Sequence, residues 1–308
     1  MTELPRHTSE MTTSSTDRPQ GVASLAEAYA MCRDVAHRHG PNFSVGFRFL
    51  PRAKRDAVYA TYAFCRFVDD VVDENPGQDV VQGIDRWEEE LDRCYAGRPT
   101  RPVTVALADT ASRYPIPKEA FSGLIEGCRM DLVKNRYANF DELMVYSDLV
   151  ATTISTMSLA IFGYRDREAL DRGRDLATAF QLTNILRDVG DDIDKDRIYL
   201  PQDEMSRFGV TEDDLRRRDV SEGFAELMKF QIQRVRDHYD RAERILSLIE
   251  PDARRCTCLM GSVYYRICNR IEELGYRVFD RRVALSVSEK LMLVAKTYLR
   301  RKPTWRHG

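Results

Sequence analysis

Few features of this 308-residue chain point to disulfides, a zinc centre or a nucleotide-binding turn. Its seven cysteines are an odd set without a Cys-x-x-Cys pair, and Cys256-Thr257-Cys258 has no companion cluster to complete four ligands. They read as reduced, packed thiols. Histidine is scarce: His7, His37, His39, His238 and His307 all stand away from the acidic stretches described below, so imidazole ligation of a metal there would need help from elsewhere in the fold. No Gly-rich strand-to-helix turn of the dinucleotide or P-loop type occurs, so no nicotinamide cofactor is expected. There is no charge excess either. A formal net charge of -2 with 31% charged residues mixes the signs too evenly for a field that attracts nucleic acid.

No apolar run approaches the roughly eighteen residues that span a bilayer, and "MTELPRHTSEMTTSSTDRPQ" has no apolar stretch that could act as a secretory signal. The expected location is cytoplasmic, with at most peripheral contact at a membrane. The polar, Ser/Thr/Pro-rich opening reads as a disordered tail over 1–21. A single domain is expected over 22–300, followed by a short basic tail over 301–308 in which Trp305 stands among Arg300, Arg301, Lys302 and Arg306. That end reads as solvated, or as an aid to membrane contact.

What is present is helical periodicity. Apolar residues recur at three- and four-residue spacing nearly everywhere, without convincing period-two alternation, so the fold class is all-α. Pro41, Pro51, Pro76-Gly77, Gly97 to Pro99, Pro115 to Pro117, Gly163, Pro201, Gly209, Pro251 and Gly275 divide the chain into about ten segments. Asn139, Thr211 and Ser288 are placed to cap helices.

Two of the segments carry acids where acids are costly. The spacing predicts a helix from about Arg55 to Asp73, with Ala57, Val58, Ala60, Ala63, Phe64, Phe67, Val68 and Val71 covering most of its circumference. At 100° per residue Tyr62, Arg66, Asp69 and Asp73 fall at roughly 0°, 40°, -20° and 20°, on one narrow face, with Asp70 beside it. In "DLATAFQLTNILRDVGDD" the residues Gln181, Asn184, Asp188 and Asp192 likewise fall within about 60° of one another. An i,i+4 aspartate pair costs roughly 0.2–0.5 kcal/mol on an isolated helix and far more where water is excluded. Such pairs need cations. Carboxylates without His or Cys are hard oxygen ligands suited to Mg²⁺ or Mn²⁺, which keep waters and are completed by substrate phosphates. Arg66, Arg187 and Arg197 are available to clamp phosphate oxygens. Apolar helix walls around them fit a long hydrocarbon diphosphate. By periodicity alone Tyr62 and Tyr199 could equally be half-buried core tyrosines, Tyr264 and Tyr265 read as such, and Arg281 and Arg282 read as surface charges.

"YAFCRFVDDVVDE" and "QLTNILRDVGDDIDKDRIYLPQDEM" resemble the two aspartate-rich signatures of the phytoene and squalene synthase family, the head-to-head prenyl diphosphate synthases. "MDLVKNRYANFDELMVY" and "YYRICNRIEELGYRVFDRRV" extend the likeness over about Ala36 to Ala295. The resemblance implies a single-domain isoprenoid synthase fold, a helical bundle around a central cavity, with Mg²⁺ bridging to substrate diphosphates. By position, Asp69, Asp73, Asp188 and Asp192 would hold metal, with Asn184 and Gln181 in support. Arg66, Arg187, Arg197 and Arg282 would contact diphosphate, Tyr62, Tyr199 and Tyr264 would stand near the reacting centre, and Phe43 matches an aromatic at the cavity mouth. Two stretches depart from the family pattern: "GPNFSVGF" replaces a Ser-rich loop, and Asp148 to Ser155 lacks a tyrosine and two glycines, which alters the helix bend and cavity wall.

The implied reaction is condensation of two geranylgeranyl diphosphates through a cyclopropylcarbinyl diphosphate to phytoene, a carotenoid precursor, with a desaturase as a downstream partner. The alternative within the family joins two farnesyl diphosphates to dehydrosqualene, squalene or hydroxysqualene. Outside it, a carboxylate-bridged di-iron bundle would want Glu-x-x-His pairs, which the five histidines do not supply. A catalytically dead scaffold would have no reason to keep the four aspartates.

Overall fold

The computed structural model describes residues 23–39, 45–74, 79–299 and 304–305. In chain order its helices are α1 (Leu25–His39), α2 (Arg52–Glu74), α3 (Asp79–Tyr95), α4 (Pro102–Arg113), α5 (Lys118–Val133), α6 (Phe140–Ser147), α7 (Thr153–Phe162), α8 (Glu168–Asp194), α9 (Gln202–Arg207), α10 (Glu212–Arg216), α11 (Glu222–Ala242), α12 (Ile245–Leu248), α13 (Arg254–Glu273) and α14 (Val287–Leu299). Among the described residues extended pairing is confined to two isolated bridges, Arg136 with Ile198 and Tyr164 with Ile249. The fold is an all-α bundle, as the sequence periodicity predicts. The expected tail over 1–21 lies outside the described residues.

Helix ends follow the punctuation in the sequence. Pro51 precedes α2 and its carbonyl accepts the Arg55 N–H at 2.9 Å. Gly163, at φ 74°, ends α7 in a conformation that residues with a Cβ avoid. Asn139 accepts the Glu142 N–H at 3.0 Å, and Thr211 closes a capping box with Asp214. The cap expected at Ser288 is instead Ser286: its Oγ accepts the Glu289 N–H at 3.2 Å while Glu289 accepts the Ser286 N–H at 3.0 Å. The reason is the Ser-x-x-Glu spacing of a reciprocal capping box, which Ser288 lacks.

α2 and α8 are the organising helices. α2 packs on α1, α4 and α5 through Ala57, Ala60, Ala63, Phe64 and Val68, all fully buried. Phe64 meets Trp87 and Phe121 edge-on, at centroid distances of 5.5 and 5.2 Å, and burying such a ring contributes roughly 1.5–3 kcal/mol. α8 lies along α11 and also touches α7 and α13. The remaining face of each helix looks inward.

α6 and α7 run on as one rod, joined by a π-helical turn over Asp148–Thr152, within the stretch that departs from the family pattern. There Asp148 accepts two N–H groups from the Arg174 guanidinium and one O–H from Thr152 at 2.9 Å. The rod Phe140–Phe162 is long and apolar enough to cross a membrane by length and composition, contrary to the reading that no segment approaches that limit. Its apolar side chains Val150, Ala151, Ile154, Leu159, Ile161 and Phe162 line an interior cavity, and Ala151, Leu159, Ile161 and Phe162 are buried, so this part of the rod is a wall inside the bundle.

The end of the chain also departs from expectation. Trp305, assigned to a solvated tail, is fully buried, beside Tyr239 at a centroid distance of 6.0 Å. Gly261 explains this: a Cβ there would stand 2.9 Å from the indole, so the bare backbone of α13 makes the seat.

Candidate active site

The inward faces of α2 and α8 repeat one spacing. Val58, Thr61, Tyr62, Cys65, Arg66 and Asp69 line the cavity from α2, and Gly173, Leu176, Ala177, Phe180, Gln181 and Asn184 line it from α8. In both, the positions are i, i+3, i+4, i+7, i+8 and i+11, the stripe of a helix facing a single surface. Both grade from small or apolar residues to polar ones toward the C-terminal end. The result is an apolar cavity of about 440 Å³ that shares Asp69, Asp131, Tyr146, Gln181 and Asn184 with a polar mouth of about 270 Å³.

The mouth gathers Asp69, Gln181, Asn184, Arg187, Asp188, Asp192, Lys195, Arg197, Tyr199 and Arg282 from segments far apart in sequence. Arg282 arrives because Gly190 lets the chain at Phe279 approach α8: a Cβ at Gly190 would lie 3.0 Å from the Phe279 carbonyl oxygen. Arg197 and Tyr199 return because the chain hooks back after α8. The Arg197 N–H bonds the Asp192 carbonyl at 2.8 Å and the Ile198 N–H bonds the Asn135 carbonyl at 3.0 Å. Arg136 fastens the hook through Asp196 and Glu212, each at 2.8 Å.

Asp188 takes two guanidiniums. Arg282 donates to its two oxygens at 2.8 and 2.9 Å, and Arg187 donates to the same pair from the other side, its Nε at 2.7 Å. Burial would raise its carboxyl, but these two arginines hold it below the usual carboxylate range. One turn on, burial and the Asp188 charge push Asp192 up to about 7, against the pull of Arg197 and Lys195. Between them and the cavity, the Asn184 side-chain oxygen is buried without a hydrogen-bond partner. Native proteins seldom leave such an acceptor unused.

The other sequence-derived residues lie along the cavity. Tyr62, Arg66 and Tyr264 are in its wall, and Arg66 pairs with Asp70 one turn on. Burial pushes the Tyr62 phenol up to about 12. Tyr264 is also raised, by burial first, with Arg187 and Asn184 drawing it back, and Phe180 stacks on it at 4.4 Å. Tyr264 is buried and lines the cavity. Asp73 belongs to α2, but its side chain lies outside the described residues, as does Phe43.

Three residues were not singled out from the sequence: Asp131, Tyr146 and Cys128. Asp131, on α5, accepts the Tyr199 hydroxyl at 2.9 Å and the Tyr146 hydroxyl at 2.8 Å, one on each oxygen. Those two rings stack at 5.3 Å with Tyr137 against them. Cys128, a turn before Asp131, donates its thiol to Asp69 at 3.5 Å. The signal was the same as for the acidic pairs: "GLIEGCRMDLV" places an aspartate in an apolar helix.

The chain is similar to known proteins along most of its length. The squalene/phytoene synthase family matches residues 36–289. A phytoene synthase of Arthrospira platensis is 39% identical, the match covering 90% of this chain and 94% of that one. A 15-cis-phytoene synthase of Synechococcus elongatus is 37% identical over 91% and 96%. Among solved structures, a dehydrosqualene synthase in complex with ligand superposes with a TM-score of 0.84 at 28% identity, covering 89% of this chain and 96% of that one. Squalene synthase HpnC from Alicyclobacillus acidocaldarius gives 0.78 at 34%, over 82% and 95%. With matched residues running from α1 into α14 and the same bundle recurring in these relatives, the chain belongs to the squalene/phytoene synthase family.

Proposed function

We propose that this protein is a Mg²⁺-dependent prenyltransferase that condenses two geranylgeranyl diphosphates head to head into phytoene, by way of a cyclopropylcarbinyl diphosphate. The observation that carries the reading is one continuous site with a mouth of four carboxylates and four cationic side chains and an apolar interior, which matches a metal-bound diphosphate head and a hydrocarbon chain. The relatives named as phytoene synthases, at 37–39% identity, support the longer substrate over farnesyl diphosphate.

The donor set fits a hard divalent cation. Asp69, Asp188 and Asp192, with Asp73 by its place in the signature, offer carboxylate oxygens, and the unpartnered Asn184 oxygen offers a carbonyl. Among the described residues no three acidic, His or Cys side chains form a ready-made cage, so most of the ion's shell would have to come from waters and substrate phosphates. Mg²⁺ or Mn²⁺ bound there would supply Lewis-acid stabilisation of the departing diphosphate.

The chain's own residues do the rest. Arg187 and Arg282 are held on Asp188, ready to turn their N–H donors toward diphosphate oxygens when that carboxylate is otherwise engaged. Arg197 adds charge at the mouth and Arg66 inside the cavity. Departure of the first diphosphate leaves an allylic cation, which the double bond of the second substrate attacks with loss of a proton. A second ionisation expels the remaining diphosphate, and rearrangement of the resulting cation followed by loss of a second proton gives the hydrocarbon. Tyr62 and Tyr264 stay protonated beside this chemistry, so they present ring faces and neutral hydroxyls to the cation and not a phenolate that would trap it. Tyr199, fixed by Asp131, orients at the mouth.

Peripheral membrane contact belongs to the same proposal, since the product is insoluble in water and a desaturase would take it from the bilayer. α14 supports it. Val287, Leu291 and Tyr298 are 74%, 63% and 64% exposed along one side of the helix, Leu299 at its end is 78% exposed, and Arg300, Arg301 and Lys302 follow in sequence.

The test is incubation with Mg²⁺ and either geranylgeranyl or farnesyl diphosphate, followed by mass spectrometry of the extracted lipids. A C40 hydrocarbon formed without reductant supports the reading. A C30 product would move the assignment to the farnesyl branch and keep the mechanism, and turnover of neither substrate would overturn it.

A further inference from the structure

The start of α2 contradicts the ordinary electrostatics of a helix. Its first turn reads Arg52-Ala53-Lys54-Arg55 and contains no acid, although the N-terminal end already carries partial positive charge and favours Asp or Glu. Lys54 is accounted for: it bonds the Phe162 carbonyl at 2.8 Å and Asp252 at 2.7 Å. The others are not. Together with Arg33 and His37 of α1, and Arg48 and Tyr59, they line a surface concavity of about 450 Å³ whose one carboxylate is Asp56. Asp56 stands 3.7 Å from Arg52, and among the described residues Arg33, Arg48 and Arg55 have no acidic partner.

Many arginines elsewhere in the chain are paired. Arg136, Arg218, Arg234, Arg236 and Arg266 each meet a carboxylate within 3.0 Å, and the chain has 49 acidic residues for its 47 lysines and arginines. What sets this hollow apart is that three guanidiniums without an acidic partner among the described residues stand together at a positive helix end, a concentration of charge that favours an anion from outside. Arginine forks and a helix N-terminus both favour phosphate oxygens. The floor of the hollow is a ring pair, His37 against Tyr59 at 5.6 Å. It is separate from the mouth of the active site and shares no residue with it.

We propose that this hollow is a second, non-catalytic site for a phosphate-bearing anion, either free diphosphate or the phosphate headgroup of an anionic lipid. It is coupled to the cavity through one wall: Tyr59 packs on Phe47 at 5.9 Å, and Phe47 lines the cavity. An anion drawn against Arg48 and Arg55 thus bears on the side chains that enclose the hydrocarbon. The inference rests on charge and shape at this hollow and does not depend on which prenyl diphosphate is condensed.

The experiment compares the full chain with the Arg48→Ala/Arg55→Ala variant, whose substitutions remove exposed or half-exposed charge and leave the core intact. Inorganic diphosphate is titrated calorimetrically in EDTA, and flotation is measured on phosphatidylglycerol and on phosphatidylcholine vesicles. Thermal melting verifies that the variant is folded. The expected result is loss of one class of diphosphate sites, or at least tenfold weaker phosphatidylglycerol binding with phosphatidylcholine unaffected. A change in calorimetry alone assigns free diphosphate; a change in flotation alone assigns the lipid headgroup. If the folded variant matches the parent in both measurements, the proposal is overturned. Replacement of Arg33 by Ala as a separate variant should produce a smaller loss in the same measurement.

Discussion

At the scale of single residues, the informative side chains are those whose surroundings contradict their chemistry. Asp131 is half-buried between two tyrosine hydroxyls that it holds by one oxygen each. In Asp131→Asn one oxygen becomes a donor, so one of those hydroxyls loses its acceptor while the volume is unchanged. Turnover should fall about 10–100-fold, the range seen when a group that orients a reactive shell is removed, with little change in melting temperature. Steady-state kinetics beside a thermal melt verify this; unchanged turnover would make Asp131 a packing residue.

Glu90 shows the same logic away from the site. It is fully buried at the junction of α3 and α4 and accepts from the Thr100 N–H at 2.7 Å, the Thr100 hydroxyl at 2.6 Å, the Arg101 N–H at 3.1 Å and Arg93 at 2.9 Å. Burial alone would raise its carboxyl, but these donors bring it down to about 2. A depressed carboxyl stabilises the folded state fully above its ordinary value near 4.5 and loses that contribution as pH falls toward 2. Denaturant midpoints should therefore fall between pH 5 and pH 2 by more in the parent than in Glu90→Gln. That variant should also be less stable at pH 7, by roughly 1–3 kcal/mol for each donor left without an acceptor.

At the scale of elements, the cavity exists because helices approach closely where side chains are absent. A Cβ on Gly173 would lie 2.6 Å from both the Ser155 hydroxyl and a Leu159 methyl, in the apolar reach of the cavity. Gly173→Ala should push α7 and α8 apart or narrow the hollow, with an overpacking cost of about 1–3 kcal/mol. Catalytic efficiency with geranylgeranyl diphosphate should fall more than with farnesyl diphosphate, since the shorter chain does not need the full depth. Competition between the two substrates, with C40 and C30 products counted, measures that ratio.

At the scale of the whole molecule, the chain end is tied into the bundle and α14 lies across α13 with an open apolar side. Trp305→Ala should cost roughly 3–5 kcal/mol, the usual result of emptying a fully buried aromatic site, and chemical unfolding would detect it. In contrast, Leu291→Glu with Leu299→Glu should leave the melt unchanged and lower flotation on phosphatidylglycerol vesicles severalfold. Retained flotation in that pair would remove α14 from the membrane surface proposed for it.

How much of this was written in the sequence can be argued helix by helix. The all-α class, most helix ends and the two polar stripes were legible because helical periodicity, Pro and Gly punctuation and i,i+4 geometry act within a dozen residues. Aspartates surrounded by apolar residues announced a charge-compensated site through local pattern alone, and the family signatures assigned it a chemistry. Local pattern does not encode long-range approach. It left Arg282 reading as a surface charge, because only the glycine contact at Gly190 brings it to Asp188. It left Trp305 in a tail, because its seat is the bare backbone of α13 at Gly261, far back along the chain. It also left Asp131 unassigned, since the two hydroxyls that define it come from α6 and from the hook after α8. The sequence by itself determined which helices form and which faces carry the paired carboxylates, since those depend on neighbours along the chain. The tertiary structure alone decided which faces meet and which charges pair, and it alone hollowed the bundle at its centre, because these depend on contacts between segments that periodicity cannot relate.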